Sequence, residues 1–180
     1  MAMMILMAPS RVGEQAGEIA VPLLLATVDR SRGLAAARYL SARMALARAT
    51  AVRRSTVVAL HFESGSRGTT FTIVQDGNGN GVRTSDIQAS IDRVIEGPLL
   101  ISDLFPGVEI GLVPGAPAPA AVQLGGTSIL SFTPSGTATS GSIYLRGKDR
   151  TQWTVRILGV TGRTRVLRLE PATGQWVNAS

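Results

Sequence analysis

Cysteine is absent from the 180 residues, and histidine occurs once, at His61. Without thiols there is no disulfide, no zinc–thiolate site and no thiol nucleophile. A lone imidazole supports neither a histidine-based metal site nor a charge-relay triad. His61 falls in a strand-like stretch and reads as a packed or half-exposed strand residue. Aromatic residues make up only 4%, so the core must be built from Val, Leu, Ile and Ala. Lysine also occurs once, at Lys148, so the net charge of +6 is carried by arginine. No apolar run reaches the ~18–20 residues of a membrane-spanning helix. Met1–Ala8 and Ile19–Val28 are apolar, but Arg11, Glu14 and Glu18 interrupt them. A basic start followed by a small-residue cleavage site, as in a signal peptide, is not clear either.

Enzyme chemistry finds no foothold. No G-x-S-x-G and no phosphate-binding P-loop occurs. Asp86, Asp92, Glu96 and Asp103 are scattered, and their spacing does not define an acid–base pair.

What is present is a long helical signal followed by many short strands. Residues 1–18 read as irregular. From Ile19 the chain is apolar to Val28, then turns basic and alanine-rich to Arg54. Pro22 starts or kinks this helix, and Gly33 loosens it. Leu34, Ala37, Leu40, Met44, Ala47 and Ala51 recur at three and four, the spacing of one helix face. That face is expected to pack on a head. Tyr39 and Leu46, seven apart, point away from it and are candidates for contacts with neighbouring subunits.

At Ser55 the period becomes strand-like. Gly 20 and Pro 9 supply the turns of a β-rich body over 55–180. Strands are expected at 55–62, 69–75, 98–102, 108–113, 128–133, 141–146, 152–158 and 164–169, with the last four forming a meander. The stretch 88–95 reads as either short helix or strand, and PGAPAPAAVQ as a connector. The expected fold is α+β, one N-terminal helix packed on two small, largely antiparallel sheets.

Two polar constellations stand out. Asp76, Asn78 and Asn80 alternate with glycines, like the first half of a calcium loop, with Asp86 one residue short of the closing carboxylate position. The same residues also suit a plain turn that accepts positive φ, and that reading carries no cofactor. In TGRTRVLRLE, Arg163 and Arg165 alternate and Arg168 follows. Guanidiniums sharing a strand face suit a phosphate backbone, which makes DNA a candidate partner. A solvated strand face is the alternative.

The ordered series of segments resembles the H-type pseudopilins of type II secretion and the FimT-like minor pilins of type IV pili, the GspH/FimT family. It runs from IAVP at 19–22, through AARYLSARMALARATAVRRSTVVAL, DGNGNGVR, FPGVEIGL and ILSFTPSGTATSGSIYLRG, to GRTRVLRLEPATGQW ending at Trp176. The resemblance implies a non-enzymatic, structural subunit. Its partners are other pseudopilin or pilin subunits and the secretion machinery. Its helix anchors in the bacterial inner membrane and its head lies in the periplasm. The FimT branch implies DNA binding through a C-terminal G-R-x-R, which Gly162–Arg165 matches. The family's basic leader, its peptidase site and the glutamate five residues beyond are not evident in residues 1–18. No cleavage site or filament-register glutamate is therefore assigned.

Overall fold

The computed structural model describes residues 15–179, with side chains from Thr27 onward. Helix α1 (Gln15–Arg54) is 40 residues long. It begins four residues before the expected Ile19; the rest of the segment read as irregular lies outside the described residues. Pro22 lies inside α1 rather than at its start. Arg53 and Arg54 occupy the last turn, where positive charge complements the helix dipole. The chain leaves through Ser55, whose φ of 50° is left-handed, and the Thr56 amide reaches back to the Ala51 carbonyl at 3.2 Å. Among the described residues no helix is long and apolar enough to cross a membrane.

The head then runs β1 (Val58–Gly65), β2 (Gly68–Gln75), α2 (Thr84–Gln88), β3 (Arg93–Leu100), α3 (Ile101–Leu104), β4 (Val108–Ile110) and β5 (Val122–Gln123). It continues through β6 (Ile129–Phe132), β7 (Gly141–Gly147), β8 (Gln152–Leu158), β9 (Arg163–Glu170) and β10 (Gln175–Asn178). One sheet has the order β3-β2-β1-β6. The other has the order β10-β9-β8-β7-β4, with β5 also on β7. Every pairing is antiparallel. The architecture is therefore α+β, a long N-terminal helix on two antiparallel sheets.

Three strand expectations change. The ambiguous stretch 88–95 divides into the end of α2 and the start of β3. The strand expected at Pro98–Ser102 stops at Leu100, because Ile101 opens α3, whose carbonyl is taken by the Phe105 amide at 2.8 Å. β6 does not join the meander. It pairs with β1 and buries Ile129, Leu130 and Phe132 in the smaller sheet. The meander is completed instead by β10. β3 is an edge strand whose pairing with β2 shifts register between Phe71 and Ile73 and again between Ile73 and Val74.

One core joins α1 to both sheets. Ala37, Leu40, Met44, Ala47 and Ala51 are buried in it, and Leu34 packs on it half-buried. Burying Leu40 and Met44 stabilises the contact by about 1.5–3 kcal/mol each. The alanines matter differently, since they let the helix backbone approach the sheet. Gly33 takes this furthest. A Cβ there would overlap the indole of buried Trp153. Gly33 thus does not loosen the helix; it makes room for β8. Polar pins fix the register of helix on sheet. Ser41 Oγ and Thr164 Oγ1 share a hydrogen bond at 2.6 Å, and Arg48 Nε donates to the Gly136 carbonyl at 2.8 Å.

Candidate functional site

The head covers one face of α1 and leaves the opposite face open. Leu46 is 50% exposed and Val52 48%, among exposed Ala42, Ala45 and Ala49. The same face carries exposed Arg38 and Arg53, so the strip is a mix of small, apolar and basic residues, and it is without a partner among the described residues. Tyr39 is not on it. Its ring packs on Phe105 with centroids 5.6 Å apart, and the Arg43 guanidinium lies 5.9 Å from its centre. Arg43 itself pairs with Glu96 of β3. Tyr39 therefore belongs to the seam between helix and head, because an aromatic ring at the flank of the buried stripe can reach α3. Leu46 alone of the two faces outward.

The three C-terminal arginines separate by strand alternation. Arg163 and Arg165 are exposed on one face of β9. Arg168 is an odd number of residues away and projects from the other face, where it donates to Glu170 Oε2 at 2.9 Å. It borders the groove between α1 and Trp153, so it does not join the other two. A residue of β8 takes its place. Arg156 lies directly across from Arg165 in the β8–β9 ladder and is also exposed. Like charges directly opposite each other destabilise a sheet. Among the described residues none of Arg156, Arg163 and Arg165 has an ion-pair partner. Arg156 could not be found from spacing, because its position beside Arg165 depends on the hairpin register.

The glycine–asparagine loop is closed by its own amides. Asp76 Oδ1 accepts from the Asn78 and Gly79 N–H groups at 3.1 and 2.8 Å, and Oδ2 from Gly81 N–H at 2.9 Å. Asp92 ties the loop's ends, accepting from Gly77 N–H at 3.1 Å and Arg83 N–H at 3.0 Å. Asn78 and Asn80 turn their Nδ2 donors toward Asp86 Oδ2, at 3.2 and 3.0 Å. Those bonds, Asn80's first, hold the Asp86 carboxyl below the usual carboxylate range. In this arrangement Asp76 is satisfied by backbone amides, and Asp86 by the Asn78 and Asn80 side chains. A cation would need both asparagine amides to rotate and the backbone to release Asp76. Among the described residues no group of three or more His, Asp or Glu side chains is placed to hold a metal.

The remaining candidates do not converge. Asp92 is occupied by amides, Glu96 by Arg43, and Asp103 sits in α3. His61 is 6% exposed in β1, on the face turned away from the main core.

The type II transport protein GspH family matches residues 36–162. Among solved structures, the chain is similar to the minor pseudopilin EpsH from the type 2 secretion system of Vibrio cholerae. The identity is 16% and the TM-score 0.45, over 76% of this chain and 97% of that one. No curated protein sequence matches.

Proposed function

The chain belongs to the type II transport protein GspH family, and from that membership we propose that it is a minor pseudopilin. In this reading it is a structural subunit of the short periplasmic filament with which a type II secretion system assists protein export. Its helix is held at the inner membrane and its head lies in the periplasm. Its partners are the other pseudopilins and the secretion machinery. The observation that supports this most is the uncovered face of α1. Beside the exposed Arg38 and Arg53, that face presents Leu46 and Val52, apolar side chains that a helix serving only its own head has no need to expose. Helices of neighbouring subunits offer the matching surface.

The absence of native cysteine gives a clean test. Leu46→Cys, expressed with the other secretion components, is expected to crosslink to cysteines placed along the helix of another pseudopilin. Leu46→Arg is expected to reduce export at least tenfold while leaving thermal unfolding of the head unchanged. Crosslinking from the hairpin tip at Val160→Cys, with none from position 46, would overturn the packing role of α1.

A second reading has its own support, the unpaired Arg156–Arg165 juxtaposition. Here the protein is a minor pilin that captures DNA on Arg156, Arg163 and Arg165. Retardation of duplex DNA at moderate salt is then expected, with at least tenfold weaker binding by Arg163→Ala/Arg165→Ala and little change in Arg168→Ala. Wild type that leaves DNA unretarded would end this reading.

A further inference from the structure

His61 is a buried imidazole that the fold does not use. Among the described residues neither ring nitrogen makes a hydrogen bond; the one polar contact is Glu63 Oε2, 4.0 Å from Nδ1. Yet the ring is not sealed. Strand alternation puts it on the same face as Ala59 and directly across from Ile129. There it borders an open pocket of about 540 Å³ between β1, the residues leading into β6, and the entry to α2.

The pocket wall is rich in donors. Arg83, Thr84, Thr127 and Ser128 line it beside His61. Arg83 is exposed and its guanidinium has no ion-pair partner. Of the acids in the adjoining loop, Asp92 accepts from backbone amides, and Asp86, whose carboxylate also feels the Arg83 charge, accepts from Asn78, Asn80 and Ser85. Thr84 and Ser128 hydroxyls make no hydrogen bond among the described residues, and Thr127 Oγ1 makes only contacts of 3.4 and 3.5 Å with Ile129. Glu63 approaches the imidazole from the side of Nδ1, which leaves Nε2 as the nitrogen without a neighbouring acid.

Residues bearing a guanidinium, three hydroxyls and an imidazole line this one space, a donor set that suits a ligand with several acceptor oxygens. We propose that this pocket binds an oxyanion group, a carboxylate or a phosphate, between Arg83, the hydroxyls of Thr84, Thr127 and Ser128, and His61. The site lies on the smaller sheet, while Arg156, Arg163 and Arg165 lie on the larger one. It is therefore separate from both surfaces discussed above, and it does not depend on the pseudopilin reading.

Because His61 is the only histidine, its ring gives a single set of imidazole signals. The full chain, labelled with nitrogen-15, is titrated at fixed pH with sodium phosphate, with sodium acetate, and with sodium chloride at matched ionic strength. A saturable shift of the His61 ring is expected with one of the two oxyanions and not with chloride. Phosphate saturating first assigns the pocket to phosphoryl ligands; acetate saturating first assigns it to carboxylates. In Arg83→Gln the apparent affinity is expected to fall at least tenfold, and in Ser128→Ala at least threefold, with backbone amide signals outside the pocket unchanged. Shifts that follow chloride equally, or an Arg83→Gln protein that binds like wild type, overturn the proposal.

Discussion

Gly33→Val is expected to lower the unfolding free energy of the head by about 3 kcal/mol. The added Cβ and its methyl groups would occupy the space of the Trp153 indole, whose Nε1, Cδ1 and Cε2 atoms are the three nearest to that position. Trp153 is buried in the core and lines the groove it shares with Leu34 and Arg168, so relieving the overlap means moving the indole out of the core toward that groove. Either the helix lifts from β8 or the indole leaves its rotamer, and both loosen the packing of Leu40 and Met44 further along the same face. Gly33→Ala makes the decisive comparison. In an exposed helix that change would stabilise by about 1 kcal/mol. Here it is expected to destabilise, because the same Cβ meets the same ring. Urea unfolding followed by tryptophan fluorescence measures both. Within a Trp153→Leu background, itself destabilised by the lost core volume, Gly33→Ala should cost little, since the two positions are coupled through one contact. A Gly33→Ala protein as stable as wild type would show that the helix–sheet spacing has slack.

Asp76→Ala is expected to cost about 3 kcal/mol. The carboxylate is buried and receives three backbone N–H groups, from Asn78, Gly79 and Gly81. Each bond to a charged acceptor contributes about 1.5–3 kcal/mol, but the freed amides lie in an exposed loop and regain part of this from water. Asp76→Asn keeps one acceptor oxygen, so about half the loss is expected. The damage should reach the small cluster of Ala59, Val74, Val82 and Ile129, because Val82 is carried by the loop's far end. The readouts are the urea midpoint and hydrogen exchange of amides 77–83. An Asp76→Ala midpoint equal to wild type would mean that the loop's conformation comes from its glycines alone. A midpoint that rises with added calcium would assign the loop to cation binding instead.

The helix stripe was legible because alanine and leucine at spacings of three and four leave one geometric solution. The core strands β2, β7, β8 and β9 were legible because β-branched residues alternate between clear turns. Sheet membership was not. Ile129–Phe132 reads the same whether it pairs with β1 or with β7, and only long-range closure decides. The place of Arg168 is legible in spacing alone, since its odd separation from Arg163 and Arg165 puts it on the opposite strand face. Arg156 carried none without the hairpin register. In the glycine–asparagine loop, the residue types fitted both a cation and a network of amide donors. The choice depends on where backbone N–H groups point, which side-chain identity does not encode. Tyr39 was misplaced because helix periodicity locates a Cβ, whereas a tyrosine ring reaches well beyond it.

β3 ends the smaller sheet on an open edge and carries exposed Val94 and Ile95. A straight strand of that composition would invite a second copy to add its own strand and fuse heads edge to edge. Two register irregularities against β2 bend this edge, Pro98 removes one amide donor from it, and Arg93 charges its start. Addition of a second copy's strand at the β3 edge is thereby disfavoured, and the heads do not fuse through it.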